Sequence, residues 1–237
     1  MASTPDEPRP SLQVPAPSVV DAFFGERSPL AHAFADHLAR SGTQRGLIGP
    51  REVPRLWSRH ILNCAAVAPM LPAGAHVVDV GSGAGLPGLV LAIARPDVRV
   101  TLIEPLLRRV TWLQEVVTDL RLGNVEVVRA RAEELTGVSA DVATARAVAA
   151  LERLSAWCLP LLRDSGTMLA IKGRSAAEEL GSAEPSLRAL GAVSWRVHHL
   201  GVDVLEEPTT VIEVVKGTSA RPHQQGRPGP RRPVRGR

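Results

Sequence analysis

The sequence predicts an α/β fold: a doubly wound, Rossmann-like sheet of mainly parallel strands behind an N-terminal helical cap. Three observations carry this. From residue 76 onward the apolar spacing switches repeatedly between a strand period and a helical period. The run from His76 to Gly88 sets a short apolar strand against a glycine-rich turn and an apolar helix. Before that run, the apolar residues recur only at helical spacing.

Residues 1–16 are Pro-rich with little apolar content and read as a disordered lead-in. Ser28-Pro29 offers an N-cap followed by proline in the first turn, and Leu30, Phe34, His37 and Leu38 then share one face until Gly42. His37 fits that stripe better than it fits a catalytic role. After the turn Arg45–Pro50, a second helix with Pro54 near its start turns Leu56, Trp57, His60, Ile61, Cys64 and Val67 inward. Residues 17–72 are therefore expected to form the cap and 73–216 the sheet domain.

Within that domain, Val77, Val78 and Val80 form the first strand and 86–94 its helix. A second strand spans 99–104, and Pro105 opens a helix with Leu106, Val110, Leu113, Val117 and Leu120 on one side before Gly123. Strands follow at 125–129, 141–145 and 167–172, with a helix over 148–162. Crossovers of this length imply parallel pairing. Two last strands, 193–199 and 209–216, have no long helix between them and predict a hairpin-like finish on a mixed sheet.

Composition narrows the function classes. With 237 residues, of which 44% are hydrophobic, the chain can bury a full core. No apolar run approaches the ~18 residues a membrane helix needs. The N-terminus lacks a basic stretch followed by an apolar one, so no secretory signal is expected and the expected location is the cytoplasm. Cys64 and Cys158 lie in helical patterns outside any metal-ligand spacing and read as buried thiols; no metal is expected. Six of the 28 basic residues are arginines within 217–237, leaving 22 against 24 acids in the rest of the chain. The formal charge of +4 thus belongs to the tail, and RNA binding by the folded part must rest on local patches.

The chemistry centres on the glycine turn. Gly81, Gly83 and Gly85 follow the strand and bring backbone close to a ligand, yet residues 83, 85 and 88 equally spell a dinucleotide-binding pattern. Asp79 tilts the balance. A carboxylate before the turn would repel a pyrophosphate by roughly 4 kcal/mol at 4 Å, whereas it would attract the ammonium of S-adenosyl-L-methionine (AdoMet). Glu104 closes the second strand, where an acid can bind a ribose diol. Ala132-Glu133 follow the third strand, near an adenine, and Arg146 follows the fourth. The absence of tyrosine excludes an Asp/Asn-Pro-Pro-Tyr amine-methylation motif, and Cys158 lies outside a Pro-Cys loop. A ring nitrogen such as guanine N7, whose lone pair needs no general base, remains as an acceptor.

Arg59-His60-Ile61-Leu62, the block from Val78 to Gly88 ending Gly-Leu-Pro-Gly, Arg131-Ala132-Glu133-Glu134, Ala145-Arg146-Ala147 and Lys172-Gly173 together resemble the RsmG (GidB) family over about residues 45–216. The resemblance implies an AdoMet-dependent methyltransferase acting on N7 of guanine 527 in the 530 loop of 16S rRNA, free or in the small ribosomal subunit. It implies that Gly81 and Leu86 serve the methionine end and the glycine turn, that Ala132 and Glu133 meet the adenine through the backbone, and that Arg146 lies between cofactor and target base. Where many members have Asn-Leu-Thr, this chain has Gly46-Leu47-Ile48, and the Arg-rich tail 217–237 lies outside the family core. Arg59 and His60 are candidates for RNA contact or for bracing the cap, Lys172 and Arg174 for phosphate contact, and His198 and His199 for structure. Two other functions compete: an NAD(P)-linked oxidoreductase and a non-catalytic RNA-binding module. The tail is expected to be disordered, as an RNA tether or a solvated extension.

Overall fold

The computed structural model describes residues 11–146 and 148–218. The lead-in expectation for residues 1–10, the tail beyond 218 and Ala147 lie outside the described residues; residues 11–16 carry no regular secondary structure.

Seven strands form one mixed sheet: β1 (His76–Val80), β2 (Arg99–Ile103), β3 (Val125–Val128), β4 (Ala140–Arg146), β5 (Leu162–Lys172), β6 (Ala192–Leu200) and β7 (Thr209–Lys216). Their order is β3-β2-β1-β4-β5-β7-β6. β1 to β5 pair in parallel, and β7 runs antiparallel to both β5 and β6, which gives the expected hairpin finish. The chain builds outward from β1 through β2 to β3, then returns to add β4 on the other side. That reversal creates a crevice beyond the carboxyl ends of β1, β2 and β4, where open sheets bind ligands.

The strands alternate sides with a period of two. Val77, Val100, Leu102, Val142, Leu169, Ile171 and Val211 face one core, shared with α4 (Gly88–Ala94), α5 (Leu107–Asp119) and the cap. Val78, Val80, Ile103, Ala143, Ala145, Met168, Ala170, Ile212 and Val214 face the other, covered by α6 (Leu151–Cys158) and α7 (Ala176–Ala189). The cap consists of α1 (Pro17–Phe24), α2 (Ser28–His37), α3 (Leu62–Ala65) and short tight or wide turns between them. Its second helix departs from the expected regular α-helix: Pro50–Arg55 is 3-10, with Pro54 inside, and Leu56–Ile61 is a wider π turn.

Three features of the domain also differ from expectation. The helix predicted over 148–162 is shorter, because Leu159–Leu161 tightens and β5 begins at Leu162. The polar start of β5, Arg163-Asp164-Ser165, is a strand extension containing Ser165 at φ +59°, opposite a register shift between Ala140 and Val142. The helix α7 has no counterpart in the sequence expectation, since Gly181 and Pro185 interrupt its pattern and it buries only Ala176, Ala183 and Leu187.

Candidate active site

A cavity of about 870 Å³ opens at the switch point of the sheet, within the ~300–1,000 Å³ typical of small-molecule sites. Its lining includes Gly81, Gly83, Leu86, Glu104, Ala132, Glu133 and Arg146, together with His60 from the cap. The glycine turn is fixed to β2, since the N–H groups of Gly81 and Ser82 donate to the Ile103 carbonyl at 2.9 and 3.1 Å. Gly81 has φ +71°, a left-handed conformation that disfavours side chains, and an added Cβ would lie 3.0 Å from both γ-carbons of Val148.

Glu104 sits one residue past β2 and is 1% exposed. Its Oε2 accepts the Gly83 N–H at 3.0 Å and its Oε1 the Leu106 N–H at 2.9 Å, with Arg109 Nη1 3.5 Å from Oε2. The carboxylate is thereby oriented from both sides of the crevice. An ionised carboxylate offers about four lone-pair positions, so acceptor capacity remains for a vicinal diol.

Asp79 is placed differently from the expectation that it meets a ligand's ammonium. It does not line the cavity and is fully buried. Its parity in β1 matches that of Val77, so the side chain turns toward α4, where Oδ2 accepts the Gly88 N–H at 3.0 Å. Gly88 has to be glycine for this contact: a Cβ there would lie 2.6 Å from Asp79 Oδ2 and overlap Leu102. Oδ1 is buried without a partner. Burial pushes the carboxyl pKa up from 3.8 to about 7, opposed by the bond from the Gly88 N–H and by the nearby Ser82 hydroxyl, which itself donates to the Asp79 main-chain carbonyl at 2.9 Å, and reinforced by the charge of Glu104. Once ionised, above about pH 7, this buried carboxylate with one free oxygen under the turn suits a cationic ligand above it, though without direct contact.

Several lining residues carry no signal in the sequence. Leu47 and Ile48, from the loop that departs from Asn-Leu-Thr, form an apolar part of the wall. Val148, on the loop after β4, covers Gly81. Arg153 stacks on Trp157 one helical turn along, its Cζ 4.8 Å from the ring centroid. For that last pair, the spacing of four is the one sequence feature that could have pointed to it.

The RNA-contact candidates fall in two places. His60 belongs to the first cavity, whereas Arg59, Lys172 and Arg174 line a second, of about 1230 Å³, with Arg55, Glu179, Glu206 and Glu207. Lys172 is already engaged: its Nζ donates to Ala149 O and Glu179 Oε2, both at 2.8 Å. This makes it a brace rather than the free phosphate contact expected. Arg174 meets Glu207 at 3.4 Å between two largely exposed side chains, a pairing worth little in water. Arg146 and Val148 line both cavities and form the partition between them. Both cysteines are buried, and burial raises the pKa of each thiol. His198 pairs with Glu213 at 3.0 Å, as a structural role predicts. Among the described residues no cluster of three or more His, Cys, Asp or Glu could hold a metal ion.

Residues 27–206 match the family model GidB, described as rRNA small subunit methyltransferase G. The chain belongs to this family. A protein named ribosomal RNA small subunit methyltransferase G from Arthrobacter sp. (strain FB24) is 59% identical over 202 residues, covering 85% of this chain and 94% of that protein. The family member of the same name from Salinispora tropica is 51% identical over 233 residues, 94% and 95% of the two chains. In fold, the chain resembles an S-adenosyl-L-methionine-dependent methyltransferase structure from Methanococcus maripaludis described as putative (TM-score 0.54, 13% identity, 68% of this chain and 87% of that one). It also resembles an O-methyltransferase from Thermotoga maritima (TM-score 0.53, 16% identity, 72% and 71%). The fold is that of the class I AdoMet methyltransferases, and AdoMet is the cofactor this family membership implies. The oxidoreductase and non-catalytic readings find no support among these relatives.

Proposed function

We propose that this protein methylates small-subunit ribosomal RNA from AdoMet, with N7 of guanine 527 in the 530 loop of 16S rRNA as the acceptor. Support for the reaction class comes from family membership. For the site, the observation that carries the reading is the partition. The glycine turn, Glu104 and Ala132-Glu133 face one cavity, a second cavity carries Arg55, Arg59 and Arg174, and Arg146 and Val148 border both. Bound AdoMet supplies an activated methyl group on a sulfonium. Glu104 would take the ribose hydroxyls, the Ala132-Glu133 backbone the adenine, and the turn from Gly81 to Leu86 the methionine end. The Asp79 carboxylate, once ionised, favours the cationic end from beneath. Val148 offers an apolar surface to a base at the partition, and the exposed arginines of the second cavity suit phosphates.

Guanine N7 carries its lone pair in the ring plane, so no residue has to remove a proton. What the chain contributes is alignment, worth roughly 7 to 11 kcal/mol when reacting atoms are held in place. Cytoplasmic location and action on an assembled or assembling small subunit belong to the same proposal; among the described residues no helix is long and apolar enough to cross a membrane. Mass-spectrometric mapping of 16S rRNA from cells lacking the protein tests it. The expected result is loss of one N7-methylguanine, restored by purified protein with labelled AdoMet. Unchanged modification at that guanine would overturn the assignment of the acceptor.

A further inference from the structure

Arg146 is held on the partition from the cap side. Its Nη1 donates to the His60 carbonyl at 3.4 Å and to Cys64 Sγ at 3.3 Å, and its Nη2 makes a short hydrogen bond to His60 Nδ1. On the far side of the ring, His60 Nε2 lies 2.8 Å from Glu52 Oε2. A guanidinium can only donate, so Nδ1 must present a lone pair; the ring proton then sits on Nε2 and is donated to Glu52. One neutral tautomer satisfies both contacts, and the carboxylate selects it. The His60 side chain is 11% exposed, so water does not readily substitute for either partner.

We infer that Glu52 and His60 are positioning residues: Glu52 fixes the Nε2–H tautomer of His60, which in turn holds the Arg146 guanidinium at the boundary where methyl group and base meet. The inference rests on the methyl-transfer reading above. A strut between cap and sheet would need only packing, whereas this arrangement depends on the protonation state of one ring. A second proton would convert Nδ1 from acceptor to donor and set an imidazolium against a guanidinium.

The charged and titratable groups around the ring are Arg146 from β4, Glu52 from the preceding turn, Arg59 beside it in the Leu56–Ile61 turn, and the Cys64 thiol on α3, which shares the guanidinium. Burial, then the charge of Arg146, holds the His60 pKa below 6.5, against the pull of Glu52. The neutral, bonded ring therefore prevails at neutral pH, and the hold opens as pH falls beneath the ordinary imidazole range.

The test uses the full chain, with AdoMet affinity from calorimetry and methyl transfer to small subunits purified from cells lacking the protein, across pH 5 to 8. Glu52→Ala and His60→Ala should each lower kcat by about tenfold, the scale of one lost hydrogen bond to a charged group, with AdoMet affinity unchanged in Glu52→Ala, whose side chain lines neither cavity. Glu52→Gln, which still accepts from Nε2–H, should recover most of that loss. His60→Asn, which keeps an acceptor but does not titrate, should remove the fall in kcat that the imidazole causes below pH 6.5, leaving only what Asp79 contributes near pH 7. In an Arg146→Ala background, His60→Ala should add nothing, because the two act as one unit.

Additive losses in that double variant, or an acid limb in His60→Asn that coincides with that of the wild type, would overturn the inference. Should an alanine variant fail to fold, the conservative pair Glu52→Gln and His60→Asn still decides through the pH profile. Wild-type protein that transfers no methyl to RNA would instead overturn the reading of the site itself, and this inference with it.

Discussion

Replacing Asp79 by asparagine should change how stability depends on pH in a direction unusual for an acid. The carboxyl has a pKa of about 7 in the folded chain against 3.8 ordinarily, because it is fully buried beneath α4. The folded state thus binds more protons than the unfolded state between those values. Stability from this group is complete below 3.8 and is lost as pH rises toward 7. The rise from 3.8 to about 7 corresponds to about 4 kcal/mol once both states are ionised. Asparagine keeps an acceptor for the Gly88 N–H and removes the charge. Its amide leaves a donor where Oδ1 now lacks a partner, which costs about 1 to 3 kcal/mol, but that cost does not vary with pH. The slope therefore carries the test. In urea unfolding at pH 5, 6, 7 and 8, the stability of Asp79→Asn relative to wild type should rise by roughly 2 to 3 kcal/mol from the lowest pH to the highest. Contributions from His60 and His76, which both titrate below 6.5, cancel in the difference. Parallel curves for the two proteins would refute the reasoning. At pH 8 the same variant should bind AdoMet more weakly, since the negative charge that the wild type carries under the turn above pH 7 is lost.

Glu104→Ala should weaken AdoMet binding by about ten- to hundredfold in calorimetry, the cost of one lost hydrogen bond to a charged group; a folded variant with wild-type affinity would remove Glu104 from the ribose site. Deleting residues 219–237, which hold six arginines and no acid, should leave AdoMet affinity unchanged and flatten the salt dependence of RNA binding. The expected change is about 0.7 to 0.9 log units for each phosphate that the tail no longer neutralises. Superimposable binding curves at several salt concentrations would leave the tail without a part in RNA capture.

What the sequence disclosed and what it hid follow from range. The corner from β1 through the glycine turn to α4 is built from consecutive residues, so its shape is legible before any partner strand is known. The contact of Arg146 with His60 joins positions 86 apart in the chain, and no local pattern announces it. The helix α7 is hidden for a local reason: Gly181 and Pro185 blur its period, and packing against the sheet outweighs that weak propensity.

Asp79 and Glu104 show where charge alone misleads. Both are acids near the ends of adjacent parallel strands, and position along the chain predicts that both face the ligand. Register separates them. Asp79 pairs with Leu102 and Val80 with Ile103, so Glu104, one residue beyond, lies level with Gly81 at the mouth of the crevice. Asp79 lies two residues deeper, with the parity of Val77, and is turned under α4. The period of two in β1 is visible in the sequence, but the depth requires knowing which residue of β2 stands opposite. One acid is thereby left at the mouth of the crevice, within reach of a ligand, while the other lies buried beneath α4 and out of the cavity.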